Sequence, residues 1–232
     1  MENKEKKIKI RRKTTGTDIF SRILTCIVAL AIPAVAYFAN MIYYVVESSV
    51  FKLWAQIKGD TSDDGSTYGY LGFHTFVKEI LPIIRTLSSD KVDWNQVWQS
   101  LEPVRTGLIV TLSFLAAAIV IALVIFFISA FSNSNIAPLI ASVLGLASTM
   151  GMFFAFKSLS DPIVNGEISM TDFFESSIVT SLLPFLATFS TLNLSSAWVL
   201  MLVFYFGLIV WHGAMLLVNS GENREIKVQK KK

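Results

Sequence analysis

Cysteine, histidine and charged residues are all scarce in this sequence of 232 residues. The single cysteine, Cys26, excludes an intrachain disulfide, so any part that folds outside a membrane is held by packing alone. The two histidines, His74 and His212, fall in segments predicted to lie on opposite sides of a membrane, which excludes a shared metal site. Only 16% of the residues are charged, against about 25% in a typical soluble domain. This deficit excludes an ordinary soluble protein.

The sequence also lacks the signatures of catalysis, nucleotide binding and metal binding. Asp63 and Asp64 precede a Gly-Ser pair, but the alternating ligands and the closing glutamate of an EF-hand are missing. No glycine-rich phosphate loop and no nucleophile elbow is found. Because no acid, base and nucleophile can be named together, we expect no enzymatic activity and no cofactor or metal.

Long apolar runs dominate what the sequence does contain. The chain is 53% hydrophobic, its mean hydropathy is +0.57, and its apolar residues form uninterrupted runs that need lipid to cover them. The four-residue link at 132–135 forces the second and third runs into an antiparallel hairpin. The fold class predicted is an all-α membrane protein with a four-transmembrane-helix bundle, its spans at residues 19–46, 106–131, 136–157 and 195–218.

The first apolar run is longer than a bilayer requires. A helix over 19–46 would exceed the roughly 30 Å hydrocarbon core, so it must tilt, kink near Pro33 or extend into the headgroups. A cleaved signal peptide is the alternative, since a basic segment comes first and the sequence at 34–36 resembles a cleavage site. The run continues past that site, which favours an uncleaved span.

Basic residues crowd both ends of the chain. Residues 1–18 and 219–232 are rich in lysine and arginine, whereas the connector at 158–194 is net acidic. The positive-inside rule therefore predicts two cytoplasmic tails in a multi-pass protein of the cell membrane. We expect these basic tails to attract anionic lipids rather than nucleic acid.

The segment at 47–105 is the largest polar part of the chain and is predicted to lie outside. Apolar residues recur at helical spacing around Phe73 and Phe76, and a second amphipathic helix is indicated around Trp94 and Trp98. We expect these four aromatic side chains to form an outer contact surface.

Residues 173–189 are apolar but short for a span, and Pro184 interrupts them. A crossing here would place the lysine-rich tail outside, against the positive-inside rule. We therefore predict an interfacial or re-entrant helix in the outer loop at 158–194, with a fifth span as the alternative.

Small residues recur every four positions in the third run, at Ala141, Gly145 and Thr149. Such a face lets two helix backbones approach closely, either within the chain or between chains. The function expected from these features is that of a non-enzymatic accessory or scaffold subunit with a membrane-protein partner or a second copy of itself. The alternative is a small transporter or channel that oligomerises through this face.

Overall fold

The structure is a computed structural model that describes residues 16–47, 66–80, 102–132, 134–167 and 188–229, with Pro82 and Gln99 as isolated positions. Within these residues one helical turn, Phe73–Thr75, and one π-helical turn, Phe76–Ile80, follow the second strand. The long helices are α1 (Gly16–Phe38), α2 (Glu102–Phe131), α3 (Ile136–Val164) and α4 (Ser196–Gln229), and the strands are β1 (Asn40–Glu47), β2 (Ser66–Gly72) and β3 (Thr188–Leu194).

Within the described residues, four helices are long and apolar enough to cross a bilayer, as the sequence predicted. The stretches that meet this description are Gly16–Phe38, Val104–Phe131, Ile136–Val164 and Ser196–Val218. The shortest have 23 residues, or about 34 Å of helix, against a hydrocarbon core of about 30 Å. The chain is therefore a multi-pass membrane protein in its architecture.

The four helices form a closed ring in which successive helices are neighbours and α4 also packs on α1. Alanines let the backbones approach, and Tyr205 of α4 fills the space between α2 and α3. Its hydroxyl donates to the Ala118 carbonyl, and its ring lies against Gly145. The fully buried side chains of this layer are Ala29, Ile32, Ala118, Ala122, Ile125, Met201 and Tyr205.

The expectation of an all-α protein is wrong, because the chain contains a three-stranded sheet. The helix predicted over 19–46 ends at Phe38, and the residues from Asn40 form β1. The sequence Ile-Tyr-Tyr-Val-Val at 42–46 consists of the aromatic and β-branched residues that favour strands. Shortening the helix in this way also removes the excess length that tilting or kinking had to absorb.

β1 is the central strand of the sheet and pairs antiparallel with β2 on one edge and β3 on the other. Tyr43 stands opposite Tyr70 of β2 and Asn193 of β3. Both ladders contain one irregularity, and the one with β3 lies between Val45 and Val46. The sheet thus joins three parts of the chain that are far apart in sequence.

The sheet sits at the end of the bundle where α1 ends and α4 begins. The Ser195 amide donates to the Met41 carbonyl at 2.8 Å, and Met41 packs with Met152 and Ala197 in a second apolar cluster. We call this the sheet end. The other end, which holds the start of α1 and the α2–α3 hairpin, is called the terminal end. α3 ends and α4 begins at the sheet end. Successive long helices therefore run in opposite directions, as four spans require.

Several predicted elements lie partly or wholly outside the described residues. The basic tail before Gly16, the second amphipathic helix at Trp94 and Trp98, and most of the predicted helix at 173–189 are among them. The last residues of that segment, from Thr188, begin β3. Of the first amphipathic helix, the turns at Phe73–Thr75 and Phe76–Ile80 are described.

The packing of Tyr205 on Gly145 predicts that Gly145→Ala destabilises the bundle. A Cβ at this position would lie 2.1 Å from Tyr205 Cε1, so the ring would have to move out of its buried site. We expect the free energy of unfolding to fall by about 1–3 kcal/mol. The measurement is the unfolding midpoint in detergent by circular dichroism, which should be lower.

Gly207→Ala is the matched control, because Gly207 is also helical and nothing lies within 4 Å of the position that a Cβ would occupy there. This variant should be neutral or gain up to about 1 kcal/mol from helix propensity. Equal midpoints for the two variants would contradict the packing described for Tyr205.

Candidate functional site

Tyrosines occupy one face of the sheet. Side chains alternate between faces along a strand, so the pair Tyr43 and Tyr70 shares a face with the pair Val45 and Tyr68. The rings of Tyr43 and Tyr70 lie 5.2 Å apart. Tyr68 is 71% exposed and Tyr70 is 51% exposed. Large aromatic side chains are therefore displayed on regular secondary structure at the sheet end.

Phe73 and Phe76, two residues of the predicted contact surface, continue this display just after β2. They are 48% and 36% exposed, and the Phe73 ring lies 5.8 Å from that of Tyr37 at the end of α1. We call Tyr43, Tyr68, Tyr70, Phe73 and Phe76 the aromatic surface. The other two predicted residues, Trp94 and Trp98, lie outside the described residues.

The tyrosines of this surface are not among the contact residues predicted from the sequence. In the sequence, Tyr43 falls near the end of the helix predicted over 19–46, and Tyr68 and Tyr70 fall in the polar segment at 47–105. Two features of the sequence could have indicated these tyrosines. Tyr68 and Tyr70 alternate with Gly69, and the run at 42–46 consists of the aromatic and β-branched residues that favour a pairing strand.

Tyr44 lies on the opposite face and fixes the two edge strands to β1. Its ring covers Gly69 so closely that a Cβ there would meet it at 2.4 Å, and it also contacts the Phe189 ring at 6.3 Å. A side chain at position 69 would therefore displace the end of the Tyr44 ring. The aromatic surface is consequently held in place by packing on the other side of the sheet.

The small-residue face of α3 lies against α4 of the same chain. Ala141 belongs to the main apolar core, and Gly145 contacts the Tyr205 ring. The Thr149 carbonyl accepts a hydrogen bond of 2.9 Å from Trp198 Nε1, while the Trp198 ring stacks on Phe153 at 4.9 Å. This face is therefore occupied within the monomer.

A buried polar cluster lies near the terminal end, around His212 of α4. His212 falls in the last predicted span, at 195–218, and is only 2% exposed. Its Nε2 is 3.2 Å from Thr25 Oγ1 of α1, and its Nδ1 is 3.3 Å from Asn135 Oδ1 in the α2–α3 hairpin. Thr25 Oγ1 is also 2.8 Å from the Ser21 carbonyl oxygen of its own helix. One side chain thus links three helices.

Arg22 lies beside this cluster and bonds the end of α2. Its Nε donates to the Ser129 carbonyl at 2.9 Å, and Nη2 donates to the Ala130 carbonyl. A cation at these carbonyls also interacts favourably with the helix dipole. The Ser129 hydroxyl is buried and has no hydrogen-bond partner among the residues described. Arg22 therefore joins α1 to α2 rather than extending freely into the headgroups.

The histidines do not come together in the described part of the chain. No three residues among His, Cys, Asp and Glu come close enough there to hold a metal ion. His74 packs near the Tyr37 ring at the sheet end, far from His212 at the terminal end. The polar cluster around His212 is buried and links helices, whereas the side chains of the aromatic surface are exposed.

No protein-family model, curated protein or solved structure matches this chain.

The bonds of His212 predict that His212→Leu weakens the bundle. Leucine fills a similar volume but leaves the buried Thr25 hydroxyl and the partly buried Asn135 amide without this partner, at an expected cost of about 1–3 kcal/mol. The measurement is the thermal unfolding midpoint of the full chain in detergent.

Val210→Leu is the control, because Val210 lies two residues earlier on the same helix and is 55% exposed. Its midpoint should be nearly unchanged, because the free energy of unfolding should stay within about 0.5 kcal/mol of that of the unsubstituted protein. An unchanged midpoint for His212→Leu would show that these contacts carry no stability.

Proposed function

We propose that this chain is a non-enzymatic accessory or scaffold subunit of a membrane complex and that it contacts a membrane-protein partner through the aromatic surface. The observation that carries this proposal is the exposure of Tyr68, Tyr70 and Phe73 on folded secondary structure. Aromatic residues are enriched in the buried parts of protein interfaces and dominate their energetics.

The rigidity of the sheet supports the same proposal. The strand that carries Tyr68 and Tyr70 pairs with β1, and β1 is continuous with α1 through Ala39 alone. Side chains held on such a framework lose little conformational freedom when a partner binds, so more of the contact energy appears as affinity.

The closed interior favours a contact function over a pathway through one chain. Ile32, Ile125 and Met201 are completely buried in the middle of the bundle, where a pore would need space. A transporter or channel built from several copies was the other expectation, and it relied on the small-residue face of α3. That face packs on α4, which leaves oligomerisation through it without support.

The proposal includes an orientation in the cell membrane, with the sheet end outside and both termini in the cytoplasm. The support is the concentration of lysine and arginine in the first and last segments of the sequence, on the positive-inside rule. The same basic segments would bind anionic lipid headgroups. The aromatic surface would then face an extracellular or membrane-embedded partner.

Cysteine labelling in intact cells tests the orientation. In a Cys26→Ala background, single cysteines at Asn165 and Asn193, both exposed at the sheet end, should react with a membrane-impermeant maleimide. A cysteine at Ser134, exposed in the α2–α3 hairpin, should react only after permeabilisation. The reverse pattern would place the sheet end in the cytoplasm and overturn the orientation.

Site-specific photo-cross-linking tests the contact itself. A photo-reactive phenylalanine analogue at Tyr68 or Tyr70, in membranes of the cells that make this protein, should give one discrete heavier species from both positions. The same analogue at Val203, which is 57% exposed on α4, is the control for nonspecific contact and should not give that species.

The double variant Tyr68→Ser and Tyr70→Ser should retain about tenfold less of that partner on purification, with a loss of stability of no more than about 1 kcal/mol from the lost packing of Tyr70 on Tyr43. The proposal fails if purification in mild detergent repeatedly returns the unsubstituted chain alone and monomeric.

A further inference from the structure

A small polar cavity lies at the terminal end of the bundle, beside His212. Its volume is about 10 Å³, and Pro138 is the one apolar residue in its described lining. The polar side chains that line it come from α1, the end of α2, the α2–α3 hairpin and α4, and include Thr25, Ser129 and Asn135. Lipid offers no hydrogen bonds, so polar groups inside a membrane bundle must find their partners there.

Ser129 brings to this cavity a hydroxyl that has no hydrogen-bond partner among the residues described. The residue is 2% exposed, and its Oγ is buried. Two other hydroxyls of α2 behave differently, because Thr111 and Ser113 each donate at 2.7 Å to a carbonyl four residues earlier in the helix. A buried hydroxyl without a partner costs free energy, and such groups commonly bind ordered water. A partner for Ser129 is therefore expected in the cavity that the residue lines.

The volume of the cavity decides what that partner can be. A buried water needs a cavity of roughly 10–15 Å³ and two to four polar partners. At about 10 Å³ the cavity has room for one water molecule and for nothing larger. Polar partners are available in its lining, where the Ser132 hydroxyl and the Asn135 amide face the same space as Ser129.

We propose that this cavity binds one water molecule, which bonds Ser129 Oγ and links α2 to the polar cluster around His212. His212 already bonds α1 and the hairpin, so the water brings all four helices into one hydrogen-bonded cluster. The lining of the cavity extends to Ser134, which is exposed in the hairpin, and the water enters from this side. This site is independent of any contact at the aromatic surface.

An experimental structure of the full chain in lipid, at a resolution that shows ordered water, tests the site directly. We expect density for one water at about 2.5–3.0 Å from Ser129 Oγ, the distance of a hydrogen bond between two hydroxyl oxygens. A Ser129 hydroxyl that instead donates to the carbonyl of Ile125, four residues earlier, would overturn the proposal. A cavity closed by its own side chains would overturn it as well.

The unfolding midpoint of Ser129→Ala in detergent gives a second, independent test. If the hydroxyl bonds a water, its removal should lower the midpoint by about 2–4 °C, the effect of one lost hydrogen bond in a chain of this size. Removing an unpaired hydroxyl would instead leave the midpoint unchanged or raise it, because a buried polar group without a partner is then eliminated.

Ser113→Ala is the matched control, because Ser113 lies on the same helix, is exposed and bonds only a carbonyl of its own helix. Its midpoint should be nearly unchanged. Equal midpoints for Ser129→Ala and Ser113→Ala would overturn the proposal.

Discussion

The hydrogen bonding of β1 on both of its edges is the constraint on which the rest of the structure depends. A chain that leaves a helix at the membrane surface exposes backbone groups that need partners, and β1 finds them in β2 and β3. Since β1 follows α1 after one residue and β3 precedes α4 after one residue, this pairing brings α1 and α4 together. The sheet therefore closes the ring of helices as well as covering its end.

Close packing inside the ring follows from the same closure. Once α4 is held beside α1 and α3, Tyr205 enters the space above Gly145 and bonds the Ala118 carbonyl. At the terminal end His212 and Arg22 reach across to neighbouring helices, to Asn135 and to the last turn of α2. In lipid, such polar links and small-residue contacts replace the hydrophobic effect as the reason for helices to associate. The result is a bundle joined at both ends and filled in the middle.

The sequence predicted the four spans because each is a local property of an uninterrupted apolar run. It did not predict the sheet, since the fate of residues 40–47 depends on pairing with segments that lie some twenty and some 150 residues farther along the chain. The burial of His212 was missed for a related reason, because Thr25 and Asn135 come from other helices. Phe73 and Phe76 were singled out by their helical spacing, and their role in a contact stays a prediction. Tyr68 and Tyr70 are recognisable as their neighbours only once the strand is known.

The position of the aromatic surface on this framework bears on the proposed contact with a partner. Phe73 rests on Tyr37 at the end of α1, and Tyr70 rests on Tyr43 of β1. These rings lie where the sheet meets the helices, a level at which aromatic side chains also suit the membrane interface. A partner that is itself embedded in the bilayer would meet this surface with its orientation already restricted by the membrane. A smaller contact area then suffices, because less rotational freedom is lost on association.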